Sequence, residues 1–464
     1  MDVSIGTVVG YTSTGKYSFI LRSFQAKLGD IVVTRVEVPE APGAARRTVT
    51  VWGRIVSIDR FNPFFPAEAA QELADENIRF LDTVLSGSRD HLEAEVLIIT
   101  GDANAGTAQL SPLTYPVKPS GEVLYPPPDD VRRLLTGDDD NSAKLMIGTL
   151  IARGDVEVSL SARHIVSRHL AILAMTGGGK TVAARRIIRE LIDLKYPLVI
   201  FDPHGDYLGF FEKRSLFRET NVRIFFPMIR MREDNLGIIA DLIDKMGRRL
   251  TEAQQQFYQY LVSATEMTDG EAATDYIQRL IDHASNIAGR QRRKEHLPDE
   301  IGNILGTTIN AARRSLEFVH ANLRQMEQNN KRLRVQPRFR EYLFEEMPDP
   351  FDAPENIVRP GAVSIFYLAG YDHLNQSAIV SIVLEALFAH RSTLSGLVPP
   401  FQAIIEEAHN FIPSRQEGTT ETPSLTTIRK VITEGRKFGT GLVLISQRPS
   451  HEVLVARIDE PAAR

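Results

Sequence analysis

One run of the chain, Ala174–Thr181 (AMTGGGKT), leaves little freedom in what surrounds it. Three consecutive glycines followed by a lysine and a hydroxyl residue suit a strand–turn–helix unit that wraps an oxyanion. Small residues let the backbone amides approach, the helix N-terminus favours negative charge, the lysine reaches the β- and γ-phosphates, and the hydroxyl holds Mg²⁺. The flanks agree with this: HLAILAMT before the run reads as a strand. After it, TVAARRIIRELIDLK reads as a helix with Ala184, Ile187, Ile188 and Leu191 on one face. The candidate nucleotide-binding residues are therefore Thr176, Gly177, Gly178, Gly179, Lys180, Thr181 and Val182. The alternative, a chance glycine turn, does not explain why the run sits where strand gives way to helix. One position departs from the consensus, with Ala174 where the first glycine stands. Alanine is the smallest replacement, but it is strained if that position demands a positive φ.

The rest of the chain falls into parts. From Ile5 to about Thr100, short alternating strands (GTVVGYTS, YSFILRS, GDIVVTRVEV, RTVTVWGRIVSI, EAEVLIIT) point to a small β-barrel over residues 1–112. FNPFFPAEAAQELA within it reads as a loop opening a short helix. The proline- and aspartate-rich stretch 113–145 reads as a semi-rigid linker. Beyond it the grammar becomes strand then helix, with YPLVIFDPHGDY, NVRIFFP, GAVSIFYLAG, FQAIIEEAHNF and GTGLVLISQRP as further strands. Runs of this kind are how parallel strands buried on both faces look. The expected fold is thus α/β, a P-loop ATPase core in two parts, 146–234 and 346–464, interrupted by a helical insertion at 235–345.

Several residues gain meaning from the loop. AIIEEAHNF ends a strand in two acids: Glu406 would hold Mg²⁺ and Glu407 would polarise the attacking water. A solvated helix start is the blander reading of EEAH. Gln447, just past the last strand, would sense the γ-phosphate or orient water, unless it simply belongs to a turn before Pro449. Arg436, on a helix ending at Gly439, is either a helix-end charge partner or an arginine finger reaching a neighbour's nucleotide. Asp202, His204 and Asp206 of DPHGDY read as a polar loop near the γ-phosphate in preference to a metal site. The basic clusters GRQRRK (289–294) and KRLRVQPRFR (331–340) are solvated faces or contacts to DNA phosphates.

Composition narrows the class. The chain has no cysteine, which excludes disulfides and thiolate metal sites. It has no apolar run of about 18 residues to span a membrane and no basic start followed by an apolar run to act as a leader. A cytoplasmic location is expected. Net charge is −5, so contact with nucleic acid would come from local basic patches.

AMTGGGKT, DPHGDY, IIEEAHNF, EGRKFG and SQRPS occur in this order, and the combination resembles the HerA family, part of the HerA/FtsK group of DNA-translocating ATPases. The resemblance covers most of the chain. It implies a RecA-like core with a HerA-type N-terminal barrel, and a homo-hexamer that threads double-stranded DNA using ATP and Mg²⁺. It also implies a partner, either a NurA-like nuclease in DNA end processing and repair or a sirtuin-like or nuclease effector in phage defence. Carried over by motif, Lys180 and Thr181 take the phosphate and Mg²⁺ positions, and Glu406 and Glu407 the acidic pair. Arg436 becomes the trans-acting arginine, Gln447 the SQRP glutamine, and Arg168 a second nucleotide-facing arginine. Family members continue past SQRPS with another strand and helices, so the C-terminal part of the core, ending in HEVLVARIDEPAAR, is expected to be shortened. A nucleotide-dependent ring scaffold that activates an effector is the competing function, and a monomeric regulatory NTPase is a third.

Overall fold

The computed structural model describes residues 3–22, 26–39, 46–61, 91–102, 112–136, 143–217, 220–233, 236–245, 250–392, 398–412 and 422–448. The expected helix after FNPFF, Pro449 and the C-terminal HEVLVARIDEPAAR lie outside them. Two compact units are present, Met1–Ser161 and Ala162–Arg464.

In the first unit, β1 (Val3–Val9), β2 (Lys16–Leu21), β3 (Ile31–Pro39), β4 (Arg46–Phe61), β5 (His91–Asp102) and β6 (Glu122–Tyr125) close an antiparallel barrel in the order β1-β2-β5-β4-β3-β6. Alternation sets its inside: on β2, Tyr17, Phe19 and Leu21 are buried while Lys16, Ser18 and Ile20 are not. β6 lies inside the stretch expected to be a linker. The prolines there flank Glu122–Tyr125 and leave its amides free, so the segment pairs with both β1 and β3 and removes the barrel's open edges. α1 (Pro128–Thr136) and the hairpin of β7 (Lys144–Thr149) and β8 (Glu157–Ser161) follow. Val131 and Val156 of this region pack with Ile31, Val33 and Trp52. The division between units therefore falls after the hairpin, later than the expected 146.

The second unit opens with α2 (Ala162–Ser167), β9 (Leu170–Leu173), α3 (Lys180–Asp193), β10 (Leu198–Asp202), α4 (Leu208–Glu212) and β11 (Asn221–Phe226). Four helices follow: α5 (Ile238–Lys245), α6 (Glu252–Ser263), α7 (Ala273–Arg292) and α8 (Gly306–Val335). β12 (Glu345–Glu346), β13 (Ala362–Tyr367), α9 (His373–Ser392), β14 (Phe401–Ile405), α10 (Pro423–Phe438) and β15 (Thr440–Ser446) complete it. Among the described residues the sheet has the order β12-β11-β13-β10-β14-β15-β9, every pair parallel. β10, β13, β14 and β15 are buried along their whole length, as their apolar runs require. β9 departs from that expectation. It is an edge strand of four residues with one face open, and Leu173 is 36% exposed. α3 buries Ala184, Ile187, Ile188, Leu191 and Ile192, the face read from its spacing.

The insertion packs through a coiled-coil-like seam. α8 buries Ile309, Ala312, Leu316, Val319, Leu323, Met326, Asn330 and Leu333, alternating steps of three and four. Asn330, the polar member, donates to Pro227 O at 2.9 Å and accepts from the Tyr371 hydroxyl, while Asn329 donates to Gly370 O at 2.8 Å. These bonds fasten α8 to the segments after β11 and β13. No helix among the described residues is long and apolar enough to cross a membrane.

Candidate functional site: a P-loop facing two acids

In a parallel sheet the loops after the strands gather at one edge. Here the order β14-β15-β9 places the loop carrying Gln447 between the acidic pair and the glycine run. The glycine run folds as a turn: Gly177 and Gly179 have φ of 81° and 79°, and a Cβ on either would meet nothing within 4 Å. Gly178 N donates to Met175 O at 3.0 Å. Ala174 is not in the left-handed region, so the departure from consensus carries no backbone strain. Its methyl instead sits 3.0 Å from where a Cβ on Gly178 would stand, so these two positions must stay small together. No side chain caps α3, and its first amides are available to an anion.

Lys180, buried at the start of α3, forms an ion pair with Glu407 Oε1 and lies 3.7 Å from Glu406 Oε1. Glu407 stands in the left-handed region (φ 51°, ψ 46°) and ends the strand abruptly. Its Oε1 also accepts from Gln447 Nε2 at 2.8 Å, and Gln447 Oε1 accepts from Thr176 Oγ1 at 2.8 Å. One connected chain, Thr176–Gln447–Glu407–Lys180, thus joins the three loops. Burial opposes the Glu407 charge, but the bonds from Lys180 and Gln447 outweigh it and hold the carboxyl below the usual range. Glu406 is 1% exposed, and its Oε2 accepts from the Tyr207 hydroxyl. Burial raises its pKa against the pull of Tyr207 and Lys180.

DPHGDY is explained by the same edge. Asp202, fully buried, accepts from the amides of His204 (3.3 Å), Gly205 (2.7 Å), Asp206 (3.0 Å) and Tyr207 (2.9 Å). Burial pushes its carboxyl up while the four amides favour its charge. It organises the turn and presents Tyr207 to Glu406. No group of three or more His, Cys, Asp or Glu able to hold a metal occurs among the described residues. Thr176, His204, Glu407, His409, Gln447 and Arg448 line a cavity of about 430 Å³ in front of the acids.

Thr176, Lys180, Glu406, Glu407 and Gln447 are therefore brought together, with Gly177, Gly178, Gly179 and Thr181 beside them. Val182 is 70% exposed on the outer side of α3. Arg168 and Arg436 are exposed and join none of these contacts. Tyr207 and His409 escaped the sequence reading, because nothing in the spacing of DPHGDY or EEAHNF reveals which loops meet.

Fold and site define a P-loop ATPase. The description "Helicase HerA, central domain" matches residues 145–387, more than half of the chain, and the chain belongs to this family. The DNA double-strand break repair helicase HerA of Pyrococcus furiosus is 26% identical, the match covering 97% of this chain and 80% of that protein. A probable helicase of Methanocaldococcus jannaschii is 26% identical over 96% of this chain and 77% of its own length. Among solved structures, VirB4 of Thermoanaerobacter pseudethanolicus aligns with a TM-score of 0.42 and 13% identity, covering 69% of this chain and 80% of that one.

Proposed function

We propose that the chain is an ATP-driven translocase of double-stranded DNA, working in the cytoplasm as a ring of six with a partner nuclease or other effector. The observation that carries the catalytic part is Glu407, buried, charged, and gripped on one oxygen by Lys180 and Gln447. Its other oxygen, Oε2, is buried without a hydrogen bond, and Glu407 itself lines the cavity. A free lone pair on a fixed carboxylate is what polarising an attacking water requires.

The open glycine turn and the uncapped start of α3 fit a polyphosphate. Lys180 would exchange Glu407 for phosphate oxygens, releasing the carboxylate to act on water. Thr181 and Glu406 supply the hard oxygen donors that suit Mg²⁺, which when bound would neutralise phosphate charge. Gln447, bonded to both Thr176 and Glu407, would report occupancy of the loop to the acid. Arg436 and Arg168 make no ion pair among the described residues, which supports a role across a subunit boundary. The names of the HerA relatives support DNA as the polymer moved.

DNA-stimulated ATP turnover tests the reading. Glu407→Gln should keep ATP binding and lose turnover by about 10²–10⁴-fold. Persistent turnover in that variant would remove Glu407 from the mechanism.

A further inference from the structure

Arg448 lines the cavity of about 430 Å³ together with Thr176 of the glycine run, Glu407 and Gln447. Its place is set by Ser446, the last residue of β15, which is fully buried. The Ser446 hydroxyl donates to Arg448 O at 2.9 Å and accepts from Arg448 N at 3.1 Å, so both polar groups of the Arg448 backbone are tied to the strand end. The same turn carries Gln447, which bridges Thr176 and Glu407. Arg448 is exposed, and its guanidinium makes no ion pair or hydrogen bond among the described residues. Its charge still reaches the cavity wall. Burial lowers the pKa of His409, another lining residue, and Arg448 acts with burial against the pull of Glu407.

We propose that Arg448 is a ligand of the terminal phosphate of a bound nucleoside triphosphate, supplied by the same chain as the P-loop. This rests on the reading of the site as a nucleotide site. The glycine turn and the start of α3 take the inner phosphates and Lys180 reaches the outer ones. The end of the phosphate chain therefore belongs between Thr176 and Glu407, both of which line the cavity. The fixed charges of the wall ask for an anion there. The Glu407 carboxylate is already paired with Lys180, whereas Arg448 has no counter-charge. A terminal phosphate carries about two negative charges near neutral pH, of which Lys180 answers one. Arg448 brings the second positive charge, with a planar fork of donors that suits two phosphate oxygens. Being open to water, it exchanges solvent for phosphate without first breaking an ion pair. A diphosphate leaves its position empty. Arg448 thus separates triphosphate from diphosphate, while Lys180 and the glycine turn serve both.

The test measures, by calorimetric titration, the affinity of the parent, Arg448→Ala and Lys180→Ala for a non-hydrolysable ATP analogue and for ADP, each with Mg²⁺. Arg448→Ala should bind the ATP analogue about tenfold more weakly and ADP within about twofold of the parent, the low end for a charge-assisted hydrogen bond because the site is open to solvent. Retained ADP affinity also shows that the variant is folded. Lys180→Ala should weaken binding of both nucleotides. The proposal is overturned if the loss for the ATP analogue exceeds the loss for ADP by less than about threefold. That covers a variant that binds like the parent and one that loses the two nucleotides together. A parent that binds neither nucleotide, or a Lys180→Ala that binds both as the parent does, removes the nucleotide site and this proposal with it. A weakened Lys180→Ala beside an indifferent Arg448→Ala sinks the role of Arg448 alone.

Discussion

Glu407 is held in a backbone conformation that costs a non-glycine residue about 1–3 kcal/mol, and a whole neighbourhood keeps it there. Lys180 and Gln447 grip its side chain, and the next residue but one, His409, flanks its second oxygen. Glu406 has a different attendant, Tyr207, whose ring is fully buried. Tyr207→Phe removes the donor and leaves a buried carboxylate oxygen unpaired, a loss of about 1.5–3 kcal/mol for a bond to a charged group. Chemical denaturation of the nucleotide-free protein should show that loss, and ATP affinity should become more dependent on Mg²⁺ concentration. An unchanged denaturation midpoint would mean the hydroxyl contributes nothing. The lysine and the two acids could be read from sequence because each ends a strand or begins a helix within a recognisable run. Tyr207 and His409 could not, because Tyr207 meets Glu406 and His409 meets Ser446 across strands distant in sequence and adjacent only in the sheet.

At the scale of elements, His169 stitches three pieces together at the start of β9. Its Nε2–H donates to Ile432 O on α10 at 3.0 Å, and its Nδ1 accepts from Leu442 N on β15 at 3.1 Å. Burial lowers its pKa. A histidine held neutral contributes stability that is fully present above its unfolded value of about 6.5 and is lost as pH falls through the lower folded value. The thermal midpoint of the second unit should therefore drop between pH 7.5 and pH 5. In His169→Asn this part of the drop should be absent, and an identical pH profile in both proteins would refute the assignment. The strands themselves were mostly legible, since alternation marks the barrel and unbroken apolar runs mark the central sheet. β6 was hidden because four pairing residues sit among prolines that dominate any local reading. The edge position of β9 was hidden because LAIL looks the same whether one side or both are covered.

Across the molecule, the basic clusters of the insertion are partly spoken for. Arg293 pairs with Glu295 at 2.5 Å, and Arg334 pairs with Glu346 at 3.1 Å, where Arg230 also binds. Arg292, Lys331 and Arg332 are exposed. Sequence showed the charge but not which fraction the protein's own acids neutralise. Whether Arg436 completes a neighbour's site is a question about assembly. Lys180→Ala and Arg436→Ala should each be inactive alone. Mixed in equal amounts within a ring of shared sites, they should regenerate about a quarter of the sites by random assortment. No recovery, with mixed rings demonstrated by mass, would place Arg436 outside the site.

Backbone amides that converge on a point are a resource any oxyanion can use. This sheet edge has two such turns, one after β9 and one after β10. The second is taken by the Asp202 carboxylate, tethered a few bonds away at an effective concentration no dissolved phosphate matches. A polyphosphate arriving at the edge therefore meets one receptive turn rather than two. Asp202 thus fills the second turn with the chain's own charge, while no side chain caps the helix start that follows the first.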